Sequence, residues 1–125
     1  LKAGATLRES QMVRAAMQSS DSAKIISEHA IDGDDRLCKA ALQRYCRILG
    51  AVAGNLALIG MTSGGMFLGG GIPAKILPAL REGHFMASFN AKGLFASYMK
   101  KIPVWVIEND KTALLGAAQQ ALLLS

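Results

Sequence analysis

With 125 residues, 51% of them hydrophobic and 18% charged, the chain is long enough for one domain with a buried core and too apolar to be disordered. A net charge of +5 and a pI of about 9.5 raise nucleic acid as a ligand. The 14 Lys and Arg residues are spread along the chain, however, and basic and aromatic residues do not alternate, which argues against a nucleic-acid groove.

In chain order, Leu7, Met12, Val13, Ala16 and Met17 give a weak helical pattern over residues 6–18. Ser19-Ser20-Asp21-Ser22 is a break rich in N-cap residues, and a short helix is predicted over 23–29. Asp32-Gly33-Asp34-Asp35 reads as a turn and a helix start, with acids placed well for the helix dipole. The clearest element follows. Leu37, Ala41, Tyr45, Ile48, Leu49, Val52 and Leu56 recur at three- and four-residue steps, which predicts a helix to about Leu58 or Ile59 with that face in the core. Arg36, Lys39, Gln43 and Arg47 lie toward another face. Cys46, Gly50 and Gly54 form a row of small residues that lets another backbone approach closely, compensating about 1 kcal/mol of helix propensity lost per glycine.

Residues 48–74 carry no charge at all. Eight glycines with Asn55, Thr62, Ser63 and Pro73 make this stretch a buried helix followed by a buried strand, not a membrane span. The strand is expected over 65–69, leading into Gly69-Gly70-Gly71-Ile72-Pro73 and a helix N-terminus. Pro73 suits a first helical position. Ile76, Leu77 and Leu80 continue the helical pattern, with Pro78 either kinking the helix or delaying its start. Gly83 breaks it. Phe85, Met86 and Phe89 predict a short helix, 90–93 a turn, and Leu94, Phe95, Tyr98 and Met99 one more helix. Pro103 stops that helix and starts a strand, Val104-Trp105-Val106-Ile107. After a turn at Glu108-Asn109-Asp110, a last apolar helix runs through Leu114, Leu115, Ala118, Leu122 and Leu123. No internal repeat and no dividing linker is apparent.

Little of this pattern carries chemistry. Most of the nine acidic residues fall at predicted caps or turns, and no pair has a spacing suited to acid–base work. His29 and His84 are solitary. There is no G-x-S-x-G elbow, no Walker-type phosphate loop and no G-x-G-x-x-G fingerprint. Cys38 and Cys46 lie eight residues apart on one predicted helix, about 12 Å along its axis, out of reach of a disulfide. They are expected to be free thiols in a reducing, cytoplasmic compartment, with no metal-type Cys or His spacing. The chain opens at Leu1 with no signal peptide, which is read as a fragment or a processed product. The one site signal is the glycine cluster between Gly64 and Gly71. Such a turn lets a ligand lie on bare backbone, and first-turn N–H groups favour phosphate or other polar groups. Packing alone is the alternative.

The order of segments adds a resemblance. Ile48-Leu49-Gly50, Ala53-Gly54-Asn55-Leu56-Ala57-Leu58, then Gly64-Gly65-Met66-Phe67-Leu68-Gly69-Gly70-Gly71-Ile72 resembles the C-terminal portion of bacterial ATP-dependent glucokinases. The similarity continues through Gly83-His84-Phe85, Phe89-Asn90-Ala91-Lys92-Gly93-Leu94-Phe95 and Ile102-Pro103-Val104, and ends with Leu114-Leu115-Gly116-Ala117-Ala118, covering roughly residues 35–120. The family often has its proline two residues after the isoleucine of Gly-Gly-Ile, where this chain has Ala74, with Pro73 directly after Ile72. It also often has Lys-Gly-Arg-Phe where this chain has Lys92-Gly93-Leu94-Phe95.

The resemblance implies an α/β fold, the helix-rich C-terminal lobe segment of an actin-like ATPase (ribonuclease H-like) architecture with a few strands. It implies a single segment over 1–125. The family's N-terminal lobe, catalytic aspartate, sugar ligands and both phosphate loops have no counterpart in this sequence. It implies ATP and Mg2+ as cofactors of a parent enzyme that phosphorylates glucose at the 6-hydroxyl, with the segment inactive alone. Carried over residue by residue, Gly69, Gly70, Gly71 and Ile72 would form the adenosine-side wall, with Gly65 supporting the strand; catalytic and metal residues are expected nowhere in this chain. Glucose, ATP and the N-terminal lobe are the expected partners, with a homodimer as a further one and neither nucleic acid nor membrane. A related hexose kinase of the same superfamily is one alternative. The other is a non-catalytic module in which the glycine helix face and apolar strands mediate self-association.

Overall fold

The computed structural model describes Ile26, Glu28, Ala30, Ile31 and residues 35–125. The patterns at 6–18 and 19–22 lie outside the described residues; of the helix expected over 23–29, Ile26 and Glu28 are described and are helical.

The dominant element is α1, Arg36–Gly60. Asp35 caps it as expected: its Oδ1 accepts the Cys38 N–H at 2.8 Å, and its backbone is extended. The helix closes where Met61 turns left-handed (φ 49°), with Met61 N–H donating to the Leu58 carbonyl and Thr62 N–H to the Ala57 carbonyl. Strand β1, Met66–Leu68, follows. Two short helices, α2 (Gly71–Lys75) and α3 (Leu77–Arg81), meet at Ile76. Then come α4 (His84–Asn90), a 3-10 turn at Gly93–Phe95, α5 (Ala96–Met99), strand β2 (Val104–Val106) and α6 (Thr112–Leu124). The two strands pair in parallel, Met66 with Val104, Phe67 with Trp105 and Leu68 with Val106. A parallel pair needs a crossover, and residues 69–103 supply a helical one.

Several expectations shift. Pro73 is the third residue of its helix, not the first, because Gly70 is the N-cap. The single helix expected around Pro78 is two helices, since a proline at the second position of α3 has no N–H to continue the ladder from α2. Both strands are three residues long, shorter than the sequence pattern suggested.

The larger correction concerns α1. The face read as core, Tyr45, Ile48, Val52 and Leu56, is exposed. The buried residues are Cys38, Leu42, Cys46, Gly50, Ala53, Gly54 and Ala57. The reason is the row of small residues. A Cβ on Gly50 would collide with the Phe85 carbonyl, and one on Gly54 would lie 2.6 Å from the Phe89 carbonyl. Helix α4 therefore lies with its backbone directly against α1 on the glycine side. Phe85 and Phe89 stack at 6.0 Å and are buried. With Ile76, Leu80, Met99 and Ile102 they form the core beside Leu68 of the sheet. Burial of each phenylalanine contributes about 1.5–3 kcal/mol. Lys92 fastens the far end, its Nζ donating to the Ala51 carbonyl at 3.0 Å and to Asn55 Oδ1.

Among the described residues, no helix is long and apolar enough to cross a membrane.

Candidate functional site

Parallel pairing sends both strands out of the sheet at the same edge. Met66 N–H donates to the Pro103 carbonyl at 2.8 Å at one end, and Ile107 N–H to the Leu68 carbonyl at 2.9 Å at the other. Beyond Leu68 lies Gly69-Gly70-Gly71-Ile72; beyond Val106 lies Ile107-Glu108-Asn109-Asp110. In open α/β sheets, ligands bind in the crevice outside the carboxyl ends of the strands.

The four expected wall residues come together there. Gly69 is next to the β2 exit, where a Cβ on it would be in ordinary contact with Ile107 Cδ1 at 3.5 Å. Gly70 has φ 105° and ψ 174°, a combination open essentially to glycine alone. Around Gly70 and Gly71 a Cβ would meet nothing within 4 Å. Ile72 is 55% exposed. The result is a stretch of bare, solvent-facing backbone ending in one apolar side chain, a surface on which another group can approach the main chain closely.

Gly65 differs from the rest. Its φ is 128°, and a Cβ there would run into the Trp105 ring. That ring stacks on Phe67 at 4.9 Å between centroids. Gly65 is thus required by sheet packing and lies at the start of β1, away from the open turn.

The phosphate reading of the turn loses ground on geometry. Helix α2 has only five residues and breaks at Ile76, so few aligned peptides contribute a dipole at its start. Two concavities, of about 530 and 470 Å3, lie elsewhere. One is between the start of α1 and α3, lined by Asp35, Lys39, Gln43 and Glu82 among others; the second is against Leu68, Val104 and Val106 of the sheet. Neither is lined by residues 69–72.

The β2 exit loop was read only as a turn, yet it leaves the sheet beside the glycines. Asn109 Oδ1 accepts the Lys111 N–H at 2.9 Å, and the Asn109 carbonyl accepts from Thr112 Oγ1 at 2.7 Å, which fixes the loop ahead of α6. The strand–helix–strand order, which favours parallel strands, was the signal that could have placed it. His84 is not solitary: it lies 3.4 Å from Arg47 Nη2 and 3.9 Å from Glu82 Oε2, on the surface at the start of α4. Cys38 and Cys46 are both buried, and no disulfide joins them. Burial, and secondarily the Glu82 charge, pushes the Cys46 thiol up. Among the described residues, no group of three or more His, Cys, Asp or Glu could hold a metal ion.

Comparison with known proteins gives this edge a context. A family model described as Glucokinase matches residues 4–123. The chain is 50% identical over 96 residues to a glucokinase of Caulobacter sp. (strain K31), covering 77% of this chain and 29% of that protein. It is 44% identical over 98 residues to a glucokinase of Synechocystis sp., covering 78% and 28%. Among solved structures, a glucokinase from an Antarctic psychrotroph superposes with a TM-score of 0.69 at 36% identity, over 83% of this chain and 34% of that one. The chain thus spans somewhat less than a third of the length of the curated relatives it matches. The match extends across nearly all of the sequence, and the chain belongs to the glucokinase family.

Proposed function

We propose that this chain is the C-terminal part of a glucokinase that transfers the γ-phosphoryl group of ATP to the 6-hydroxyl of glucose, and that residues 69–72 form the adenosine-side wall of its nucleotide site. The observation that carries the reading is the open backbone at Gly70 and Gly71, at the carboxyl edge of a parallel strand pair, in a chain of this family. The parent is read as a two-lobed enzyme of the actin-like ATPase, ribonuclease H-like architecture, acting in the cytoplasm.

In the parent enzyme, Mg-ATP would supply the phosphoryl group and charge neutralisation. This chain's residues do narrower work. Gly69, Gly70 and Gly71 let the nucleoside approach backbone without steric contact, and Ile72 offers it an apolar edge. The loop after β2 borders the same surface. Gly65 keeps Trp105 and Phe67 stacked and so holds β1 in register. A base, a metal site and the phosphate loops belong to other parts of the parent, so the chain by itself is inactive.

Photolabelling with an azido-adenine nucleotide tests the wall. The adduct is expected on the tryptic peptide that follows Arg47 and ends at Lys75; adducts found only elsewhere would contradict the assignment. In a coupled assay, the chain alone is expected to leave glucose unphosphorylated. Turnover by the purified chain would refute that half of the reading.

A further inference from the structure

We draw no further inference here: the strongest candidate, the cavity of about 530 Å3 between the start of α1 and α3, is lined by two cations, Arg36 and Lys39, and by two carboxylates, Asp35 and Glu82, a balance of charge that selects no class of ligand, and nothing in the structure shows what covers it.

Discussion

At Gly65 two demands coincide: a positive φ of 128° and the Trp105 ring occupying the space a side chain would need. Gly65→Ala should therefore destabilise the fold by about 1–3 kcal/mol from backbone strain, with a further contribution from the displaced ring. Gly70→Ala meets open space and carries the strain alone. Chemical denaturation of the two variants should show Gly65→Ala to be the more damaging; equal losses would mean that the Trp105 contact contributes nothing. Cys46 gives a pH signature. Its folded thiol is raised from the ordinary value of 9.0, first by burial and then by the Glu82 charge. Above that value the unfolded thiol ionises while the folded one keeps its proton. Its contribution is thus complete below pH 9 and is lost as pH rises through the higher folded value, at up to about 1.4 kcal/mol per pH unit. Alkaline denaturation followed in wild type and Cys46→Ala should show a shallower decline in the variant; parallel curves would exclude Cys46 as the source.

Between elements, the α1–α4 contact rests on two glycines and one lysine. Replacing Lys92 by methionine keeps the stem and removes the bonds to the Ala51 carbonyl and Asn55 Oδ1. A loss of about 1–3 kcal/mol is expected, with faster amide exchange confined to the 93–95 turn. Unchanged exchange there would show that the turn is held by packing alone. The sequence showed some of these features and concealed others, for reasons tied to range. The Asp35 cap, the break at Gly83 and the Phe85/Phe89 helix were legible because each depends on neighbours within a turn or two. The covered face of α1 was not. Periodicity identifies an apolar stripe but does not say whether this chain covers it, and here the small residues mark the packed side. The division at Ile76 was half visible, in Pro78. The clash that fixes Gly65 depends on pairing Phe67 with Trp105, which no local pattern records.

At the scale of the molecule, two apolar surfaces have no cover among the described residues: the Tyr45, Ile48, Val52 and Leu56 face of α1, and α6, whose Leu114, Leu115, Leu122, Leu123 and Leu124 are all strongly exposed. A helix apolar around its circumference is ordinarily enclosed. This fits a chain that spans under a third of its relatives. The candidate site follows the same logic. Glycine clustering made residues 69–72 visible in the sequence, and the parallel strands put them beside the β2 exit loop. The most direct test of the nucleotide assignment is an amide NMR titration with ATP, carried to millimolar concentration. The account predicts saturable shifts at residues 69–72 and, beside them, at 107–110, with Lys92 and the α1–α4 contact unmoved. Shifts absent from 69–72, or spread evenly over the chain, would contradict it and leave the glycine turn with a packing role alone.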